Sequence, residues 1–283
     1  MKTPDVLGRE PSPGSMGLIE DQHLESVVVE QTREAEAAHT GADDNHVPRI
    51  HPSSLKGVET GCMCGRFVLD QELDDLIVQF LVDHNRFPEW VPRWNIAPTT
   101  AIPLLIDSSE GRSLGPARWS LTPPWSESLD TPYPIFNARS ETAASKASFR
   151  QSVARYRALI PATAYYEWHT SEGVKTPHVI RPADHSLFAF AGFYSVWTKG
   201  ESPVVTATIL TTDAADSVAW IHPRSPVALP RDSWSWWLDP ATTGNQGLVD
   251  DAVQASHTVF HDVEAYPVAP LRGDGPELLS PLS

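Results

Sequence analysis

The sequence predicts an α+β fold with a largely antiparallel β core and short flanking helices, and three observations carry that prediction. Twenty-six of the 283 residues are proline, roughly twice the usual ~5%. Proline fixes φ and removes a backbone donor, so this count favours turns and short strands over long helices. Apolar and β-branched runs recur at short intervals between residues 158 and 211, the pattern of successive strands. Well before that region, over residues 70–81, one segment shows the 3.6-residue apolar period of an amphipathic helix.

Residues 1–62 come first, with 5 Lys/Arg against 11 Asp/Glu, many Ser, Pro and Gly, and a single apolar cluster at Val27–Val29. A segment of this kind cannot bury enough apolar surface to offset its ordering entropy. It is expected to be a disordered acidic tail or a misassigned start, leaving residues 63–283 as the folded domain. Arg66–Leu69 then suits a strand, and Asp70 an N-cap for a helix carrying Leu73, Leu76, Ile77, Phe80 and Leu81. From Pro88 to Pro134 nine prolines fall in 47 residues, which predicts loops with short strands around Ile102–Ile106 and Ala117–Leu121. A short helical stretch over Thr142–Arg155 follows. Strands are then expected at Ala158–Ile160, Thr163–Trp168, His178–Ile180, Leu187–Phe193 and Val204–Thr211. Helices are expected at Asp213–Ile221, Arg231–Leu238 and Leu248–Ala255, and a last strand at Thr258–Val263.

Composition also narrows the function. No apolar run approaches the ~20 residues needed to cross a bilayer, and no apolar segment follows Lys2 as in a secretory signal. A cytoplasmic protein with no membrane partner is expected. The two cysteines, Cys62 and Cys64, are too few for a disulfide framework and lack a second pair to complete a zinc site. No metal and no cofactor are called for. A net charge of −15 counts against nucleic acid as a partner. Yet Arg139, Lys146, Arg150, Arg155 and Arg157 fall within nineteen residues that hold one acid, Glu141, so a local basic surface on an acidic body is expected.

Four residues can carry chemistry. Cys64 directly follows Met63, and removal of that methionine would expose it as an N-terminus. Its thiol and α-amine would then form a 1,2-aminothiol with ordinary pKa values of roughly 8.5 and ~7.7–8.0. Such a pair condenses with an aldehyde to a five-membered thiazolidine. Glu167 lies between Tyr166 and Trp168 in a strand pattern, where a carboxylate pressed among aromatics can act as general acid or base, or can face water at a rim. His222 follows a predicted helix, where histidine serves as a cap or as a proton shuttle. Asn137 sits at a strand-to-helix junction two residues before Arg139, as either a turn residue or an orienting amide. Trp125, after the rigid Pro123-Pro124 pair, is harder to bury than the others; packing is the favoured reading, with stacking on an unpaired base as the alternative.

Several ordered motifs then share one resemblance. They are Met63-Cys-Gly-Arg-Phe67, Arg93-Trp-Asn-Ile-Ala-Pro98, Trp119-Ser-Leu-Thr-Pro-Pro-Trp125, Asn137-Ala-Arg-Ser-Glu-Thr142, Tyr166-Glu-Trp168, Thr211 to His222 with Arg224, and Gly275-Pro-Glu-Leu-Leu-Ser-Pro281. Together they resemble the SRAP family, the SOS-response-associated peptidase-like proteins that process abasic sites. The resemblance implies a barrel-like sheet and a monomer at replication forks that attaches covalently to abasic sites in single-stranded DNA through its N-terminal cysteine. It implies Cys64 as nucleophile, Asn137 as orienting group, Glu167 as acid/base and His222 as proton-transfer partner. It also places Arg66 and Arg139 on phosphates, with Asn95, Trp125 and Thr211 lining the DNA channel. The chain departs from the family in the 62 residues before Met63, which self-processing would remove, and in Ala269 where an asparagine is more usual after the valine. Rival readings are a cysteine peptidase acting on other proteins through Cys64 and His222, and a non-covalent single-strand binder using Trp125 and the arginines.

Overall fold

The computed structural model describes residues 65–131 and 133–282. The expected tail and the expected nucleophile, Cys64, both lie outside the described residues. In chain order the elements are β1 (Arg66–Leu69), α1 (Leu73–Phe80), β2 (His84–Asn85), β3 (Arg93–Ile96), β4 (Ala101–Ser108), β5 (Gly111–Trp119) and β6 (Asn137–Arg139). Next come α2 (Ser140–Ala143), α3 (Ala147–Arg155), β7 (Arg157–Ala162), β8 (Ala164–Ser171), β9 (Val174–Pro182), β10 (Phe188–Trp197) and β11 (Val204–Asp213). The chain ends with α4 (Asp216–Ala219), β12 (Arg224–Pro226), α5 (Trp234–Leu238), α6 (Gln246–Val259), β13 (Val263–Pro267) and a 3₁₀ turn at Pro276–Leu279.

Five strands close on themselves in the order β4-β5-β11-β10-β7, making the expected barrel. Strand direction cannot alternate all the way round a ring with an odd number of members. One neighbouring pair must run parallel, and it is β5 with β11, through Arg118↔Thr206 and Trp119↔Ala207. The proline-rich stretch contributes two barrel strands because Pro103 and Pro116 oppose each other in the β4–β5 ladder. On their outer sides the ladders lie elsewhere: β4 meets β7 at Leu105, and β5 meets β2 at Ser113–Leu114 and β11 at Arg118–Trp119. The missing proline donors therefore cost little pairing.

A second sheet, antiparallel throughout, runs β3-β1-β8-β9-β13. Side chains alternate across a strand, so Phe67, Leu69 and Tyr165 enter the main core while Val68, Ala164 and Tyr166 pack on the far face with Val268 and Leu278. Phe67 joins sheet to barrel by meeting Trp119 edge-on at 5.0 Å, a favoured aromatic geometry. Strand β7 is buried along its whole length, because α3 and α5 cover its outer face.

Several boundaries differ from expectation. Helix α1 starts at Leu73 with Glu72 at the N-cap position; Asp70 instead stays tied to the β7–β8 corner, its backbone N–H donating to Thr163 Oγ1 at 3.4 Å. Leu81 turns left-handed at φ 53° and ends the helix. The single helix expected over 142–155 is two, because the Thr142 carbonyl accepts from the N–H groups of both Ser145 and Lys146 and closes α2. The helix expected over 213–221 shrinks to one turn, since Asp213 is still paired with Arg224 in a ladder. Thr258-Val259 carries β-propensity, yet α6 runs through it, with Val249, Ala252 and Ser256 buried on one face. The last strand is β13, from Val263 to Pro267, beside β9.

Arg157 was expected in the basic patch and is instead buried, at 4% exposure. Its guanidinium donates to the carbonyls of Trp237, Val153, Ala154, Asp239 and Thr242 at 2.6–3.1 Å, tying the ends of α3 and α5 together. Burial lowers its pKa, partly offset by Asp239. The chain packs so closely here that a Cβ on Gly244 would lie 2.1 Å from the Val153 carbonyl oxygen. Arg157→Met keeps most of the volume but strands these acceptors, each worth about 1–3 kcal/mol when unsatisfied. Allowing for water reaching some of them, a loss of about 3–5 kcal/mol is expected, or roughly 10 °C in Tm for a domain of this size. A melting temperature within ~2 °C of wild type would show the cage to be incidental. Arg139, Lys146, Arg150 and Arg155 remain exposed, so four of the five cations expected at the surface reach it.

Candidate functional site

The site forms where β11 outgrows the barrel. Past Ala207, β5 ends and β6 takes its place alongside β11, pairing Asn137 with Ile209 and Arg139 with Thr211. On the other flank β12 pairs Arg224 with Asp213. The chain folds this way because Ser120-Leu121-Thr122 breaks off β5 and is held by side chains: Thr122 N–H donates to Thr206 Oγ1 at 2.9 Å, and Ser120 Oγ accepts from Ile135 N–H at 3.2 Å. The returning chain reaches β11 at Asn137.

Arg224 welds these pieces. Its guanidinium bonds to Glu141 at the start of α2, to Asp213 at 2.7 Å and to the Thr211 carbonyl at 2.9 Å. Burial pulls the Arg224 pKa down, but the hydrogen bonds and charges of Glu141 and Asp213 outweigh it and hold the pKa above its ordinary value. At Glu141 burial pushes the pKa up, and the Arg224 contacts reverse this to a net lowering. The backbone N–H of Arg224 points at His222 Nδ1, 3.2 Å away. His222 lies three residues beyond α4, just after its closing turn, with its backbone N–H donating to the Val218 carbonyl at 3.4 Å.

Glu167 is 1% exposed, on β8. Its carboxylate Oε1 is 4.0 Å from His222 Nδ1, beyond hydrogen-bond range but close enough for one small group to bridge. The expected sandwich between Tyr166 and Trp168 does not form. Neighbours in a strand face opposite sides, so Tyr166 and Trp168 pack in the far cluster, with the Tyr166 hydroxyl donating to the Trp94 carbonyl at 2.9 Å. That burial pushes the Tyr166 pKa up. The residues that share Glu167's face are His178, its cross-strand partner on β9, and His169, two residues on. His178 Nδ1 donates to the Thr176 carbonyl at 3.1 Å, and burial lowers its pKa. Trp220, at the end of α4, touches both histidine rings. Sequence reasoning missed this trio.

The expected DNA-contacting residues are placed as follows. Arg66 opens β1 opposite Tyr166, the neighbour of Glu167, and donates to Asn95 Oδ1 at 2.9 Å. Asn95 is itself fixed, its amide donating to the Gly273 carbonyl at 2.7 Å and its backbone N–H to Asp274 at 2.9 Å. Asn95 therefore orients Arg66, and the 273–274 segment supports both. Arg139 is exposed on β6. Trp125 is 53% exposed in the loop after β5, with its carbonyl accepting from Lys199 at 3.0 Å. Thr211 is fully buried, its hydroxyl donating to the Ala138 carbonyl at 3.3 Å; it pins β6 in place. Among the described residues there is no cluster of three or more side chains suited to a metal ion, and no helix is long and apolar enough to cross a membrane.

A family model for SOS response associated peptidases (SRAP) matches residues 63–272. The abasic site processing protein YoqW of Bacillus subtilis (strain 168) is 37% identical over 227 residues, covering 77% of this chain and 99% of that protein. The abasic site processing protein HMCES of Gallus gallus is 32% identical over 235 residues, covering 69% of each. A crystal structure of a Bacteroides thetaiotaomicron protein shares the fold with a TM-score of 0.67 at 20% identity, covering 78% of this chain and all of the other.

Proposed function

The chain belongs to the SOS response associated peptidase family, and from that premise we propose that it processes abasic sites, forming a covalent thiazolidine with the abasic sugar in single-stranded DNA through an N-terminal Cys64. One observation carries the reading: a buried carboxylate, Glu167, with His222 Nδ1 4.0 Å from it. Two proton-transfer groups that close, shielded on one side and open on the His222 side, suit a reaction made of successive proton transfers.

An abasic sugar opens to an aldehyde. The Cys64 α-amine adds to its carbon, and the carbinolamine loses one water to give an imine. The Cys64 thiolate then adds to the imine carbon, and a proton returns to nitrogen, closing the ring. The net change is condensation with release of one water. Glu167 donates the proton that lets hydroxide leave as water and takes protons back at ring opening. His222, its Nδ1 facing the Arg224 N–H, serves the sugar hydroxyl. Cys64 lies two residues before Arg66 in sequence, and Arg66 enters the sheet beside Glu167. Asn137 orients the reacting groups from β6, while Arg66 and Arg139 take the flanking phosphates and Trp125 an unpaired base. Asn95 and Thr211 act through the residues that they hold.

The test is denaturing electrophoresis of the protein with a single strand carrying one abasic site. A heat-resistant adduct is expected with that strand and none with the intact strand or with one whose abasic sugar has been reduced to the alcohol. Adduct on the reduced strand would refute aldehyde chemistry. Cleavage of an unrelated protein without any adduct would favour a peptidase.

A further inference from the structure

Trp220 is 51% exposed, but it is not a loose surface side chain. Its indole N–H donates to the Ser217 carbonyl at 3.1 Å. His169 meets its ring edge-on at 5.3 Å and 63°, and His178 does so at 5.3 Å and 88°; the two histidines meet each other at 5.9 Å and 84°. Three contacts fix the ring's orientation while half its surface stays open to solvent. The ring also sits next to the reacting groups. Trp220 is two residues before His222, and His178, which it touches, lies directly across the ladder from Glu167.

We propose that Trp220, braced by His169 and His178, is a stacking platform for the nucleobase next to the abasic nucleotide. This rests on the abasic-site reading above. An abasic nucleotide has no base of its own to hold, so recognition must draw on its neighbours, and a base–aromatic stack works for any base because each has a π-face. A ring already immobilised loses little side-chain freedom on binding, which favours affinity. The platform is continuous with the Glu167–His222 pair, so a base seated there places the next sugar over those groups. The loop bearing Trp125 is a separate element and would serve a different nucleotide.

The test uses strands carrying a tetrahydrofuran abasic analogue, which has no aldehyde and so reports binding alone. In further strands the base on the 5′ side, or the base on the 3′ side, is also replaced by tetrahydrofuran. Trp220→Ala is expected to weaken binding of the singly substituted strand by roughly 5- to 150-fold, the range for loss of one stack. Wild type should lose a similar factor when one of the two flanking bases is removed, and Trp220→Ala should be indifferent to that removal. Trp220→Phe should retain most of the affinity. Thermal melts check that the half-exposed substitution leaves the fold intact. The platform is overturned if Trp220→Ala binds within twofold of wild type, or if it loses as much affinity on base-free flanks as on natural ones. Failure of wild type to crosslink an aldehyde-bearing strand would defeat the abasic-site reading separately, and the same base-removal series on otherwise intact strands would then decide the platform alone.

Discussion

Cys64→Ala, in protein whose N-terminus begins at residue 64, is expected to give no heat-resistant adduct with an abasic single strand. Alanine keeps the α-amine, so an imine can still form and be trapped by borohydride, but no thiolate is present to close the ring. An imine hydrolyses back in water, whereas the five-membered ring keeps both bonds at the former aldehyde carbon. Cys64→Ser should fall between the two, since an oxygen ring is less stable than the sulfur one, and should also need reductant for most of its yield. The same chemistry demands a free amine at Cys64, and 63 residues precede it in this sequence. Intact mass of the crosslinking-competent protein from its native host should therefore show residues 1–63 absent. A Cys64→Ala protein that crosslinks like wild type without reductant would refute the thiazolidine. A native protein that retains residues 1–63 and still crosslinks would refute the need for the amine.

What the sequence made legible, and what it hid, follows from how far apart the cooperating residues lie. Strands β4, β7, β8, β10 and β11 are readable because each carries an apolar or β-branched run that is buried in the barrel or the sheet beside it. Short β3 and β6 were not, because Arg93–Ile96 and Asn137–Arg139 owe their extended form to partners elsewhere in the chain and not to local propensity. The Glu167–His222 pair spans 55 positions of sequence and becomes a pair only once β12 docks on β11 and Arg224 locks the turn. The Glu167–His178 pairing was nearer to hand. Glu172-Gly173 is a two-residue hairpin turn with φ of 50° and 78°, the pattern of a type I′ turn. A hairpin closing between Ser171 and Val174 fixes Glu167 opposite His178 by counting back four on one strand and forward four on the other, as observed. Ending β8 at Trp168 discarded that count. It also left Glu167 between Tyr166 and Trp168, when period two sends both to the other face.

Glu167→Gln is expected to slow adduct formation by about 10²–10⁴, the range for a general acid/base, which corresponds to about 3–5 kcal/mol in the barrier. The substitution is close to isosteric and keeps an oxygen to accept the Trp168 N–H, seen at 3.4 Å. It replaces the ionisable carboxyl by a neutral amide of nearly the same shape at a site that is 1% exposed. Folding and single-strand affinity should therefore hold near wild type while the proton donor is lost. Burial sharpens the effect, since bulk water has little access to stand in for the carboxyl. His222 is more open, with its side chain 18% exposed, so solvent can replace it in part. His222→Ala should slow formation less than Glu167→Gln, and should slow release onto a competitor strand as well, because reversal runs the same proton transfers backwards. Time courses of formation and of exchange, from about pH 5.5 to 8.5, separate the two. Formation rates unchanged in Glu167→Gln across that range would mean that the aminothiol and the aldehyde react unaided, with Glu167 serving only to seat β8 against β9 beneath the bound sugar.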